Sequence, residues 1–274
     1  DGDFAHSGYD YSDKQLRSFS HFHVGSLGGT SIGDRAGLFS MLPFTTAEIE
    51  TLLKNPIVDF DKNSEKVRPG YYSVHLPGED IFVELTAAAH SGYHKYHYPA
   101  DKEAQLIISS HPGRVGGITL SKTGPQKIEG ILSVFDGIYF IIEFNSPLIS
   151  TQLWDGRSLV KKESLEKESN VSLVCNFGNL KGKPLEIRVG VSLISIEGAR
   201  KNLESEWQGG DFSKALKKAS CLWNETLSII EVKGQDEEDK TIFYTALYHS
   251  CFMPNAINDI DGKYPGLDHK IHMA

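Results

Sequence analysis

Cysteine is scarce in this chain. The three present (Cys175, Cys221 and Cys251) cannot all pair with one another, and none stands in a Cys-x-x-Cys spacing. Neither a disulfide scaffold nor a thiolate metal knuckle is therefore indicated. Cys221 and Cys251 fall on expected helix faces and are read as buried small hydrophobes. Long apolar runs are missing too. The longest, Gly137-Ile138-Tyr139-Phe140-Ile141-Ile142, is far short of the roughly 18–20 residues that cross a bilayer. It reads as a buried strand, and no membrane span is expected. Positive charge is in deficit: 28 Lys and Arg against 36 Asp and Glu leave a net charge of −8. The basic residues are scattered rather than clustered, which argues against a nucleic-acid partner.

What is present is the composition of a soluble globular protein, 39% hydrophobic and 23% charged over 274 residues, enough for one large domain or two smaller ones. Asn170-Val171-Ser172 and Asn224-Glu225-Thr226 fit the N-glycosylation pattern, the second inside an expected helix. The chain begins at Asp1-Gly2-Asp3 with no initiator Met and stops at His272-Met273-Ala274 soon after a loop. It is read as an internal piece of a longer protein.

Two kinds of periodicity follow one another. Thr45-x-x-Glu48 fits a capping box opening a short helix over 46–54, closed by Asn55-Pro56. Residues 57–70 are polar and charged and read as a surface loop. From about 71 to 197 the period is two, with strands expected at 71–76, 81–85, 92–98, 104–110, 117–122, 126–135, 138–145, 171–178 and 185–196. The Lys- and Glu-rich stretch 161–168 reads as an exposed turn or hairpin tip. Strands without intervening helices predict an antiparallel β-sandwich. Beyond 197 the period becomes helical, predicting helices over 197–206, over 212–230 (Leu216, Ala219, Trp223, Leu227, Ile230 on one face) and from Asp236 to about 252. A short strand-like piece ending at Gly234 separates the last two. Asp236-Glu237-Glu238-Asp239 puts acids on the first turn of the last helix, where the helix dipole favours them.

The chemistry-bearing residues concentrate at the two ends. Phe19-Ser20-His21-Phe22-His23 places two imidazoles on one face of a strand, just before Gly28-Gly29-Thr30-Ser31-Ile32-Gly33-Asp34. Glycines let the backbone turn tightly or approach a ligand. The pair suits a sugar or metal site; it also suits a strand end packed on aromatic neighbours. Gly29 and Asp34 could equally form a structural turn. Eight of the eleven histidines lie within the first 111 residues, but no third metal ligand stands at a diagnostic spacing from His21 and His23. Tyr93, Tyr96 and Tyr98, interleaved with His94 and His97, could stack on sugars or simply pack the core. Asp259-x-Asp261-Gly262 fails the EF-hand pattern, which needs glycine at the sixth position and a late glutamate.

Taken in order, Ser7-Gly8-Tyr9-x-Tyr11-Ser12-Asp13, the His21/His23 segment, Pro69-Gly70-Tyr71-Tyr72-Ser73-Val74, Phe243-Tyr244-x-Ala246-Leu247-Tyr248-His249, Pro254-Asn255 and Asp259-x-Asp261-Gly262-Lys263-Tyr264-x-Gly266-x-Asp268 resemble the front part of glycoside hydrolase family 92. Two departures stand out. Phe4-Ala5-His6 replaces the Trp or Cys common before Ser-Gly-Tyr, and the usual His-x-His-x-Ser-Gly-Thr-Gly is longer and differently spaced here. The resemblance implies a calcium-dependent, inverting exo-α-mannosidase acting on mannose-containing glycans, secreted or periplasmic. It implies a sandwich over 1–196, a helical linker over 197–234, and at 235–274 the start of a truncated (α/α)6 catalytic domain whose missing C-terminal part would be this chain's partner. It places the catalytic carboxylates and most Ca2+ ligands beyond residue 274. His21, His23, Gly29, Asp34, Asp261 and Asp268 are the substrate-binding candidates it leaves in this chain. A stand-alone carbohydrate-binding module and a purely structural module are the alternatives.

Overall fold

The computed structural model describes residues 11–21, 39–110, 117–134, 136–161, 164–168, 171–234, 236–251 and 256–274. Two antiparallel sheets dominate. The larger has nine strands in the spatial order Ser164–Glu168, Ile118–Gly124, Lys127–Leu132, Ile138–Phe144, Leu185–Ser192, Ser91–His97, Ile81–Ala87, Tyr71–Leu76 and Asp61–Arg68. The smaller has six, ordered Leu159–Val160, Ser150–Trp154, Ser172–Gly178, Ala104–Ser110, Phe39–Phe44 and Phe19–His21. They pack face to face as a β-sandwich, as the period-two alternation predicts. Phe39 of the small sheet stacks on Phe140 of the large one at 4.3 Å, and Phe144 meets Phe177 at 5.0 Å.

Helix α1 (Ile49–Lys54) lies in the connection after Phe39–Phe44 and puts Leu52 and Leu53 into the sandwich core. After the last strand of the sandwich, α2 (Ile196–Trp207) and α3 (Phe212–Leu227) cover the outer face of the large sheet, and α4 (Glu237–Ser250) packs on α3. Along Ile138–Phe144, Ile138, Phe140 and Ile142 face the small sheet, while Ile141 joins Tyr93, Ala199, Leu203, Trp207, Phe212 and Ala215 in a second core beneath α2 and α3. Burial on both faces explains why this strand reads as an unbroken apolar run. Two glycines permit the layers to close. A Cβ on Gly130 would sit 2.2 Å from the Phe140 ring, and one on Gly190 would meet the Ala199 carbonyl oxygen at 2.4 Å.

The helix caps follow sequence logic. Ser195 accepts from the Gly198 N–H at 2.9 Å, Asp211 from Lys214 N–H at 2.9 Å and Asp236 from Glu238 N–H at 2.8 Å. Several other expectations are corrected. Residues 57–70 are not a loop: Asp61–Arg68 is an edge strand paired with Tyr71–Leu76. Likewise 161–168 is not a hairpin tip, because Ser164–Glu168 is the opposite edge, paired with Ile118–Gly124. No capping box forms at Thr45. Its N–H and Oγ1 donate to the Glu79 carboxylate at 2.6 and 2.8 Å, and Glu48 itself sits at the helix cap without a side-chain bond. Residues 231–234 form no strand. Cys175 is buried, but Cys221 and Cys251 are exposed, since α4 buries none of its residues and α3 buries only one side.

Gly190→Ala should be felt strongly, because the clash is with main chain and α2 would have to lift. A loss of about 1–3 kcal/mol is expected, seen in thermal unfolding as a midpoint lower by on the order of 5 °C; an unshifted midpoint would show that the helix rides loosely on the sheet.

Candidate functional site

His21 is the last residue of its strand, and its surroundings are built by strand Ser91–His97 across the sandwich. Gly92, His94 and Tyr96 share the inward face of that strand. Gly92 has no side chain because the His21 ring occupies the space: a Cβ there would lie 2.6 Å from His21 Cε1. The ring stacks on Phe39 at 4.9 Å, and its Nε2 is 2.7 Å from His94 Nε2. His94 Nδ1 is 2.6 Å from the Tyr96 hydroxyl. Burial, seconded by the neighbouring His21, pushes the His94 pKa well below the usual histidine value, and burial raises that of the Tyr96 phenol. His94 is thus a neutral ring with one N–H. One of its ring nitrogens donates and the other accepts, so the protons of Tyr96, His94 and His21 are coupled along one chain. The chain Tyr96–His94–His21 therefore holds the position of the histidine singled out in the sequence.

Just before that strand begins, the rim of the sandwich meets the C-terminal segment. His90 lies 2.8 Å from both the Glu206 carboxylate and the Asn258 carbonyl oxygen. Asp259 is buried there, accepting from Ser192 Oγ at 2.7 Å and from Asn202 Nδ2 at 2.8 Å, while Asn202 Oδ1 accepts from the Ile260 N–H. A two-stranded hairpin follows, Lys263–Pro265 against Ile271–Met273, tied back by His269, 2.9 Å from Asp136. Gly92 touches His21 and His90 touches Asn258, so His21 and the 256–274 segment belong to one end of the sandwich.

The Glycosyl hydrolase family 92 N-terminal domain model matches residues 1–192, and the Glycosyl hydrolase family 92 catalytic domain model matches residues 198–274. The chain belongs to glycosyl hydrolase family 92. Solved members of the family share its fold. A family 92 α-mannosidase from Bacteroides thetaiotaomicron is 24% identical, with a TM-score of 0.83 over 99% of this chain and 39% of its own. A family 92 inverting mannosidase from the same organism is 22% identical, with a TM-score of 0.83 over 99% of this chain and 38% of its own. A further family 92 glycosyl hydrolase is 22% identical, with a TM-score of 0.85 over 98% of this chain and 38% of its own. The chain thus spans about two fifths of the length of the solved relatives it matches. No curated protein matches it.

Among the family 92 candidates, His21, Asp261 and Asp268 are described, and His23, Gly29 and Asp34 lie outside the described residues. Asp261 binds the ammonium groups of Lys263 at 2.9 Å and Lys201 at 3.5 Å; the Lys263 bond holds its carboxyl below the usual range. Asp268 stands on the hairpin turn, 2.9 Å from His272 Nε2, which lowers its pKa likewise. Among the described residues no three His, Cys, Asp or Glu side chains gather around a common point, and the carboxylates of Asp259, Asp261 and Asp268 are engaged as above. Tyr93, Tyr96 and Tyr98 are core residues. His90, Asn202 and Glu206 were not singled out from sequence, because each acts across elements far apart in the chain, and His94 was noted only as part of the aromatic strand. The one available hint was the Gly92/His94/Tyr96 alternation opposite a histidine-ended strand.

A neutral buried His94 makes the fold acid-sensitive. Its folded pKa lies below the unfolded value near 6.5, so the unfolded state binds the extra proton and stability falls as pH drops below about 6.5, with a slope of up to about 1.4 kcal/mol per pH unit from this group. Nitrogen-15 imidazole spectra should show His94 still neutral at pH values that protonate an unperturbed histidine. A titration midpoint near 6.5 would contradict the relay.

Proposed function

We propose that this chain is the front part of an inverting exo-α-mannosidase that removes terminal α-mannosides from glycans, with the sandwich rim as one wall of the active site. The observation carrying this reading is a family 92 fold in which His21 and the hairpin with Asp261 and Asp268 lie at the same end of the sandwich. Relatives of the same fold are α-mannosidases, one of them solved in complex with mannoimidazole. In this reading the His21 edge, oriented by His94 and Tyr96, and the Asp268 carboxylate hydrogen-bond mannose hydroxyls and hold the ring for attack.

Inverting hydrolysis needs an acid and a base carboxyl about 6.5–9.5 Å apart with a water between base and sugar. We assign that pair, and the calcium ligands, to the part of the catalytic domain outside this chain; bound there, calcium would supply charge stabilisation to a distorted mannose. Residues 1–196 are then the sandwich, 197–234 the linker and 235–274 the start of an (α/α)6 domain. The apolar side chains that this chain leaves in water (Ile242, Ile257, Ile260, Leu267, Ile271 and Met273) support a face completed by the rest of that domain. Such exposed patches are otherwise uncommon on monomers. No described helix is long and apolar enough to cross a membrane; a secreted or periplasmic location rests on the family resemblance.

A chain extended through the whole catalytic domain should hydrolyse an aryl α-mannoside and lose that activity with chelator, while residues 1–274 alone turn over none; turnover by the short chain would place the carboxylates here and overturn the assignment. In the extended chain, Asp268→Asn should lower kcat/KM by about 10–150-fold, the value of a hydrogen bond to a charged group, with the melting midpoint unchanged. Wild-type kcat/KM in that variant would remove Asp268 from the site.

A further inference from the structure

His90 occupies the turn between strands Ile81–Ala87 and Ser91–His97, where its carbonyl accepts from the Val191 N–H at 2.9 Å. Its ring is bracketed by two acceptors. Nδ1 is 2.8 Å from Glu206 Oε1 on α2, and Nε2 is 2.8 Å from the carbonyl oxygen of Asn258. The Glu206 carboxylate is already an acceptor for the His90 N–H at 3.0 Å and for the Ser91 hydroxyl, and a peptide carbonyl can only accept. A neutral imidazole has one N–H and can satisfy one of these two partners. Only the imidazolium satisfies both.

We propose that His90 is a proton-operated clip and the positioning residue for the C-terminal segment. As imidazolium it ties Asn258 to α2 and to the sheet rim; as neutral imidazole it drops one bond and loosens the hairpin that carries Asp261 and Asp268. The consequence for catalysis rests on the proposed substrate role of that hairpin, but the clip itself does not. The charges facing His90 favour the protonated ring. Glu206 comes from α2 and Asp259 from the C-terminal segment, opposed by Lys218 of α3, whose ammonium binds the Glu206 carbonyl at 2.7 Å. The Glu206 hydrogen bond, working against burial, raises the His90 pKa above the usual 6.5. The sign is opposite to that of His94: the tether is complete below pH 6.5 and is lost as pH climbs through the raised value. Two further histidines stand on the hairpin, His269 (on Asp136) and His272 (on Asp268), and must be separated from it.

Amide hydrogen exchange of this chain between about pH 5.5 and 8.5, corrected for intrinsic rates, tests the clip. Protection at Asp259, Gly262 and Gly266, whose N–H groups bond Lys263, Asp259 and Lys270 carbonyls, should fall about tenfold across the His90 titration, the worth of about one hydrogen bond, while strand Ile138–Phe144 stays constant. The fall should persist in a His269→Gln/His272→Gln double variant and be absent in His90→Gln. Glu206→Gln should move its midpoint to lower pH, which also serves if His90→Gln loses strand protection. A fall that survives His90→Gln, that disappears in the double variant, or whose midpoint ignores Glu206→Gln overturns the proposal. If the exchange behaves as expected but KM for an aryl α-mannoside in the extended chain shows no matching pH step, the clip stands and the substrate role of the hairpin falls.

Discussion

Strand Ile138–Phe144 has no water-facing side through its middle: the small sheet lies on one face and α2 on the other. The arrangement depends on the close approaches at Gly130 and Gly190, which let an aromatic ring and a helix backbone settle directly onto the sheet. Because α2 is held that close, its Asn202 and Glu206 reach past the sheet edge to the rim, where they meet Asp259 and His90. The hydrophobic stacking of three layers thus determines where the polar network can exist. Its cost is a set of buried polar groups that must all be satisfied, and at Asp259 they are.

The layered β architecture was legible in sequence wherever one face or both were buried, because alternation or an unbroken apolar run leaves a mark. Helices α2 to α4 were legible from the change of period, and α4 also from the acids Asp236 to Asp239 on its first turn. The misreadings share a cause: the deciding partner is remote. Thr45 has the local pattern of a capping box, yet Glu79, 34 residues on, takes its donors. Cys221 and Cys251 sit on helices whose outer faces this chain leaves uncovered.

The two histidine systems show how far local reading goes. His21 was visible as a candidate because its neighbours along the chain are unusual. What holds its ring in place comes from His94 and Tyr96 across the sandwich. His94 is kept neutral by burial, and His90, a few residues away on the same segment, is favoured as a cation by a carboxylate. One short stretch therefore holds imidazoles tuned in opposite directions by which layer each faces, one toward the dry interior and one toward the wet rim.

The edges of the large sheet carry a separate consequence. Asp61–Arg68 and Ser164–Glu168 close it on either side, and both are rich in charge (Lys62, Glu65, Lys66 and Arg68 on one; Glu166, Lys167 and Glu168 on the other). The first also breaks register between Asp61 and Lys66. A tenth strand arriving at the Asp61–Arg68 edge from another molecule would have to desolvate Lys66 and Arg68 and match an irregular ladder. The same residues that disguised this strand as a loop thus guard that edge of a nine-stranded ribbon that could otherwise template its own extension into a fibril.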